Sequence, residues 1–363
     1  MSINEIIIYI MVAFMVLGAI DKCIGNKFGL GEQFEEGIVA MGSLAVAMVG
    51  VICLAPVLAD VLRPIIVPVF DMLGADPAMF AGSILANDMG GAPLAMELAK
   101  DPNAGLFGGL IVGAMMGPTI VFIIPVALGI IDKEDQKFLA TGILAGIITI
   151  PIGAFVGGLV AGFDVMMIIR NLIPIIIFAA IIALGLLKFE SAMIKGFTYF
   201  GKGVVIVITL GLAAAIVEAL TGIVVIPGMN PISEGIEIVG DIAIVLAGAF
   251  PLVFVITKVF SKPLMALGKL LGMNDIAAAG LVASLANCIP MFGMMKDMDD
   301  RGKIINVAFA VSAAFVFGDH LGFTAGFNAD MIAPMIVAKL VGGITAVILA
   351  MRLANKMLKK ENA

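Results

Sequence analysis

The chain has 363 residues, of which 62% are hydrophobic and only 13% are charged. Soluble domains are about 45–50% apolar and about 25% charged, so this composition predicts an integral membrane protein. The formal charge of −6 and the single histidine argue against nucleic acid as a partner, because binding it requires a basic surface.

Nine apolar runs are long enough to cross the hydrocarbon core of a bilayer, which takes about 20 helical residues. They lie at residues 4–22, 37–59, 105–131, 138–163, 166–187, 200–222, 235–257, 303–325 and 331–355. Two more runs, 76–99 and 275–296, are interrupted by polar residues and proline. Two short segments, 62–74 and 262–272, contain proline or lysine and are predicted to lie at the membrane surface. The chain is therefore predicted to be an all-α polytopic membrane protein.

The two interrupted runs are predicted to be re-entrant helical hairpins, each entering and leaving the membrane on one side. With nine crossings, only Arg63, Lys100 and Arg170 then lie outside, and Lys339 lies within a span. All other Lys and Arg residues lie inside, as the positive-inside rule requires. This distribution predicts an external N-terminus and a cytoplasmic C-terminus.

The two halves of the chain show the same order of features. Glu-Gly-Ile at 36–38 recurs at 234–236, and each copy is followed by a short segment, an interrupted run and a glycine-containing span. We therefore divide the chain into a first repeat (1–165), a connecting helix (166–197) that reverses the direction, and a second, inverted repeat (198–363). Inverted repeats with opposed hairpins indicate alternating access and an elevator-like carrier. Analogy with other two-hairpin carriers suggests a homo-oligomer, either a trimer or a dimer.

Few polar side chains are expected at membrane depth, and these are the candidate binding residues. A buried carboxylate can pair with a cation while amides and hydroxyls take the remaining hydrogen bonds. The alternative is structural, with Asp88 capping an unwound turn and Asp319 and His320 forming a buried pair. Lys339 lies inside an apolar run, from which its side chain can extend to the membrane surface. The candidate substrate-binding residues are Asn87, Asp88, Thr119, Asn287, Asp319 and His320.

Motifs for enzymes are missing from the sequence. It contains no His-Glu-x-x-His, no Gly-x-Ser-x-Gly and no P-loop, and its three cysteines are far apart. Their number and spacing fit neither a disulfide framework nor a set of metal ligands. No catalytic activity, metal or cofactor is therefore predicted.

Several longer motifs resemble the ethanolamine permeases of bacterial ethanolamine-utilisation operons. They include Phe-Glu-Glu-Gly at 34–37, Asp-Met-Gly-Gly at 88–91, Met-Met-Gly-Pro-Thr-Ile-Val-Phe at 115–122, Ala-Ala-Ala-Gly at 277–280, Ile-Pro-Met-Phe-Gly-Met-Met-Lys at 289–296 and Gly-Asp-His-Leu-Gly-Phe at 318–323. The resemblance runs over nearly the whole chain. It implies an inner-membrane protein that admits ethanolamine for a cobalamin-dependent lyase in a microcompartment. Cys288 departs from the resemblance, since asparagine is expected there.

The predicted site suits such a substrate. Ethanolamine is mostly a protonated ammonium at neutral pH, so it needs an anionic partner and a group that binds its hydroxyl. Asp88 and Asp319 offer the first, and Asn87, Asn287, Thr119 and His320 offer the second. Two other functions stay open at this point: a gated channel for small amines or neutral solutes, and a membrane component that docks enzymes.

Overall fold

The computed structural model describes residues 2–361, and all regular elements in that range are helical. The predicted all-α class is confirmed. The helices are α1 (Ile3–Cys23), α2 (Leu30–Met72), α3 (Ala78–Ile84), α4 (Gly91–Leu98), α5 (Pro102–Val112), α6 (Met116–Ile130), α7 (Gln136–Val160), α8 (Val165–Phe189), α9 (Ser191–Thr221), α10 (Ile232–Leu270), α11 (Asp275–Ala286), α12 (Cys288–Met294), α13 (Asp300–Ala313), α14 (Asp319–Phe327) and α15 (Ile332–Glu361).

Within the described range, seven helices are long and apolar enough to cross a membrane. The pair α5 and α6, bent by 44° at the break between them, brings the number to eight. The remaining predicted span, 303–325, is instead divided between α13 and α14. With 14 residues, α13 is about 21 Å long at 1.5 Å per residue and cannot cross the hydrocarbon core alone.

The segments at 62–74 and 262–272 are not separate from the preceding spans. Nearly all of the first belongs to α2, and most of the second belongs to α10. Proline removes one backbone donor without ending these helices, which continue past Pro64 and Pro263. With 43 residues, α2 is about 65 Å long and much longer than the hydrocarbon core is thick.

Both interrupted segments fold back on themselves, so that their ends meet. In the first segment, the Asp76 carboxylate accepts hydrogen bonds from the backbone N–H groups of Lys100 and Asp101, both at 3.0 Å. In the second, the backbone N–H of Asn274 donates to the Asp299 carboxylate at 2.7 Å. Each segment is therefore a helix–break–helix hairpin, and we name them hairpin 1 (α3 and α4) and hairpin 2 (α11 and α12).

Backbone hydrogen bonds join each hairpin to the break between the next two helices. These helices are α5 and α6 for hairpin 1, and α13 and α14 for hairpin 2. At hairpin 1, the N–H of Asn87 donates to the carbonyl oxygen of Gly113 at 2.7 Å. At hairpin 2, the N–H of Phe315 donates to the carbonyl of Ser284 at 3.1 Å. The N–H of Phe317 donates to the next carbonyl of the same hairpin at 3.0 Å. These bonds satisfy backbone groups that the interrupted helices leave unpaired.

The helices pack into two groups. In one, α2 packs against α10 and α9, and α1 packs against α2 and α10. In the other, α7 packs against α13 and α15, which also pack against each other. Hairpin 1 lies against α5 and α2, while hairpin 2 lies against α10 and α13. Hairpin 2 therefore contacts both groups, and hairpin 1 contacts the first group through α2.

Candidate binding site

Two carboxylates, Asp88 and Asp319, line a single cavity of about 260 Å³, which we call the carboxylate cavity. Its walls also include His320 and the rings of Phe122 and Phe315. The other lining residues are Ser43, Leu44, Ala47, Ala86, Met89 and Pro118. Acidic groups thus face a mostly apolar space, where water competes weakly for a bound cation.

The interrupted helices place the two acids. Asp88 lies in a short 3₁₀ turn that follows two extended residues and ends at Gly90, whose φ of 93° is left-handed. Asp319 is the first residue of α14 and follows an irregular stretch in which Phe315 has a φ of 64°. A left-handed conformation is strained for phenylalanine and persists only where surrounding bonds hold it. Here the bonds from Phe315 and Phe317 to hairpin 2 do so.

The sequence allowed Lys339 to extend to the membrane surface, but in the structure its side chain is buried. Its side chain is only 1% exposed, and its ammonium contacts the carbonyl oxygen of Ala114. The same nitrogen lies 3.0 Å from Nδ1 of His320, which is 2% exposed and lines the carboxylate cavity. The break between α5 and α6 explains the difference, because it frees the Ala114 carbonyl to bind a buried cation.

The other candidate residues lie around the cavity rather than along its walls. Asn87 is fully buried, and its side-chain oxygen and nitrogen find no hydrogen-bond partner in the part of the chain that the structure describes. Thr119 is also fully buried, and its hydroxyl donates to the carbonyl of Met115 at 2.8 Å, one helical turn earlier.

Asn287 lies in a second cavity, of about 180 Å³, which we call the Glu36 cavity. Gln33 and Glu36 of α2 line it together with Asp319, so this carboxylate faces both cavities. The Asn287 side chain accepts a hydrogen bond from the N–H of Ile289 at 2.8 Å and caps α12. Asn287 therefore contributes to the turn of hairpin 2 and to the wall of this cavity.

The comparison with known proteins identifies the family. The chain matches the family described as "Ethanolamine utilisation protein, EutH" over residues 3–353. It belongs to the EutH family. It is 72% identical to the "Probable ethanolamine permease EutH" of Listeria monocytogenes, covering 100% of this chain and 97% of the relative.

Two other relatives each match 90% of this chain. The "Probable ethanolamine permease EutH" of Escherichia coli is 55% identical, with 89% of the relative covered. The "Uncharacterized protein YxeR" of Bacillus subtilis is 56% identical, with 88% covered. No solved structure matches the chain. The predicted family is confirmed, and the names of the Listeria and Escherichia relatives describe permeases rather than enzymes.

In this EutH chain, the charged groups at the cavity are two acids and one lysine. Asp88 is close enough to Lys339 for their charges to interact, and Asp319 shares the cavity with Asp88. With both acids and the lysine ionised, two negative charges and one positive charge leave the group at −1. Among the side chains that the structure describes, no three of His, Cys, Asp or Glu lie close enough together to hold a metal ion.

Sequence reasoning missed three polar residues near the site: Lys339, Gln33 and Glu36. A signal existed for Lys339, because an ionisable residue within an apolar run is a functional candidate by default. Gln33 and Glu36 precede the predicted span at 37–59 and were therefore not considered at membrane depth. The structure starts α2 at Leu30, which brings both residues onto the same helix as the cavity wall.

Proposed function

We propose that this protein takes up ethanolamine across the bacterial cytoplasmic membrane by binding its protonated form in the carboxylate cavity. The observation that carries the proposal is the pair of acids, Asp88 and Asp319, facing one cavity beside a single buried lysine. Unpaired buried charge is costly, so an excess carboxylate is stabilised by an incoming cation. The family and the names of the Listeria and Escherichia relatives support ethanolamine as that cation.

The two carboxylates contact the substrate ammonium in this proposal, and His320 binds the hydroxyl. Asn87 immediately precedes Asp88 in the hairpin 1 turn. Its unpaired amide is available to bind the substrate or to orient Asp88. Thr119 maintains the wall of α6 through its bond to Met115. Asn287, in the Glu36 cavity, binds substrate on the way to or from Asp319.

Transport then requires the site to open to each side in turn. We propose that the two hairpins and the broken helices bonded to them move as a unit against α1, α2, α9 and α10. The backbone bonds at the hairpin tips support this unit. Hairpin 1 opens to the outside and hairpin 2 to the cytoplasm in this scheme, with the N-terminus outside and the C-terminus inside. The inverted repeats, 1–165 and 198–363, joined by 166–197, are part of the same proposal.

We also propose that the protein is a homo-oligomer, a trimer or a dimer, that associates through the first group of helices. Large apolar side chains on α1 and α9 are exposed in the single chain, including Tyr9, Val16, Ile206 and Leu210. Contacts there would leave both hairpins free to move. Native mass measurement in lipid nanodiscs tests this arrangement, and a monomer would contradict it.

The central experiment is ethanolamine binding to purified protein by calorimetry. Asp88→Asn and Asp319→Asn each remove one negative charge and should abolish measurable binding, while thermal unfolding shows that both variants are folded. Asp60→Asn is the matched control, because Asp60 is exposed and pairs only with Arg63 at 3.6 Å among the described residues. If both cavity variants bind as tightly as the parent, the site lies elsewhere. Counterflow in proteoliposomes distinguishes a carrier from a pore, which shows none.

A further inference from the structure

The contact between Lys339 and His320 determines which ring nitrogen carries hydrogen. A lysine ammonium has three hydrogens and no lone pair, so it can only donate. Its nitrogen lies 3.0 Å from Nδ1 of His320, so towards a charged Lys339 the Nδ1 atom is the acceptor. A neutral imidazole with an accepting Nδ1 has its hydrogen on Nε2. His320 lines the carboxylate cavity, and the hydrogen-bond donor of its ring is then Nε2.

Several groups around Lys339 stabilise the charged form of its ammonium. Its other contact is the carbonyl oxygen of Ala114, and the carboxylate of Asp88 lies within electrostatic range. Asp319 lines the same cavity as His320. A buried ammonium without such partners would be too costly to keep, whereas one with a carbonyl, an imidazole nitrogen and nearby carboxylates is compensated.

His320 and Lys339 interact differently with a hydroxyl group and with an ammonium group of a substrate. A hydroxyl oxygen can accept a hydrogen bond from His320, and the positive charge behind the ring strengthens that bond. A second ammonium is itself only a donor, so it would meet the N–H of His320 and the like charge of Lys339. Donor opposite donor, in a site shielded from water, leaves both groups unpaired and costs binding free energy.

We propose that Lys339 is a specificity-determining residue that acts through His320 to select a hydroxyl and reject a second ammonium at the far end of the substrate. The ligand class is therefore the short amino alcohols with one ammonium group, and short diamines are excluded. This inference rests on the proposed function and adds the reason for discrimination. Lys339 is a positioning residue here, since it does not touch the substrate.

The test compares two ligands of equal length, 3-aminopropanol and 1,3-diaminopropane, in calorimetric binding and in competition with ethanolamine uptake. The parent protein should bind the amino alcohol at least tenfold more tightly, and Lys339→Met should reduce this ratio by about tenfold. Lys339→Arg retains the positive charge and should keep most of the preference. Met335→Leu, a buried substitution of similar volume one turn earlier on α15, is the control.

A second measurement tests the contact between Lys339 and His320 directly. His320 is the only histidine in the chain, so nitrogen NMR of isotope-labelled histidine gives one assignable ring. The parent should show an unprotonated Nδ1 and a protonated Nε2, and Lys339→Met should change the populations of the two forms. Hydrogen on Nδ1 in the parent would overturn the inference, as would an unchanged ligand ratio in folded Lys339→Met.

These outcomes separate the inference from the proposed function. If the parent protein binds neither ethanolamine nor the amino alcohol, the proposed function fails, and the selectivity fails with it. If the parent binds both but Lys339→Met discriminates as the parent does, only the inference fails. The NMR measurement needs no substrate and reports on the Lys339–His320 contact in either case.

Discussion

The ammonium of Lys303 lies 2.5 Å from the carboxylate of Asp135, forming a buried ion pair that joins the first turn of α13 to the start of α7. Both side chains are largely shielded, at 11% and 5% exposure. A pair in this setting is costly to break, because removing one partner leaves the other charged and buried. The contact therefore joins two helices of the second group, one of which, α13, packs against hairpin 2.

Lys303→Met should lower the free energy of unfolding by about 3–5 kcal/mol, the usual cost of breaking a buried ion pair. Thermal unfolding in detergent, with and without lipid, measures the effect. Lys303→Met combined with Asp135→Asn should recover part of the loss, since no isolated charge remains. The exposed pair between Lys22 and Glu35 provides the control, and Lys22→Met should change stability by about 1 kcal/mol or less. Equal effects at the two sites would contradict the prediction.

Gly117 allows α6 to approach the break of hairpin 1. A Cβ atom at this position would lie 1.8 Å from the carbonyl oxygen of Leu85, far inside van der Waals contact. Gly117→Ala should therefore displace the turn that carries Asp88 and weaken ethanolamine binding at least tenfold. Gly129→Ala, on the same helix with nothing within 4 Å, should bind normally. Unchanged binding by a folded Gly117→Ala protein would show that the turn tolerates displacement.

The proposed orientation of the two hairpins can be tested by labelling cysteines from each side of the membrane. Lys100 and Lys296 lie at the ends of hairpin 1 and hairpin 2, and both are exposed. In a background with Cys23→Ser, which removes the exposed native thiol, Lys100→Cys should react only from outside and Lys296→Cys only from the cytoplasm. Reaction of both cysteines from one side would contradict opposed hairpins.

Uptake of a cation without a coupling ion should follow the membrane potential. Each 100 mV, inside negative, contributes about 2.3 kcal/mol for one charge, or about a 50-fold gradient of ethanolamine. Proteoliposomes with a potassium diffusion potential should show accumulation that rises with the imposed voltage. The same vesicles at zero potential, with a sodium or proton gradient, are the control. Accumulation that needs one of these gradients would establish ion coupling instead.

Hydropathy and charge were sufficient to predict the helical class and the two interrupted segments. Asp88 and Asp319 stood out in the sequence because acidic residues are expensive within apolar runs. Lys339 was misjudged, since its long side chain can reach the surface from many positions along a helix. Its true environment depends on Ala114, in the break between α5 and α6, and on His320 of α14, and these groups meet Lys339 only after folding. No local pattern contains that information.

The continuous helices were missed for a related reason. Pro64 and Pro263 suggested ends, because proline removes a donor and disturbs the preceding turn. Both helices nevertheless continue, as neighbouring helices and local adjustments tolerate proline in membrane proteins. The break at Phe315 was missed as well, because phenylalanine rarely adopts a left-handed conformation and gives no warning in sequence.

The backbone bonds at the hairpin tips also bear on how the chain is made. The N–H of Asn87 pairs with a carbonyl 26 positions later (113 − 87), and the carbonyl of Ser284 pairs with an N–H 31 positions later (315 − 284). A ribosome therefore delivers each tip to the bilayer before its partner has been synthesised. Unpaired peptide groups cost several kcal/mol each in hydrocarbon. Each hairpin must accordingly stay with the insertion machinery until the following helix emerges.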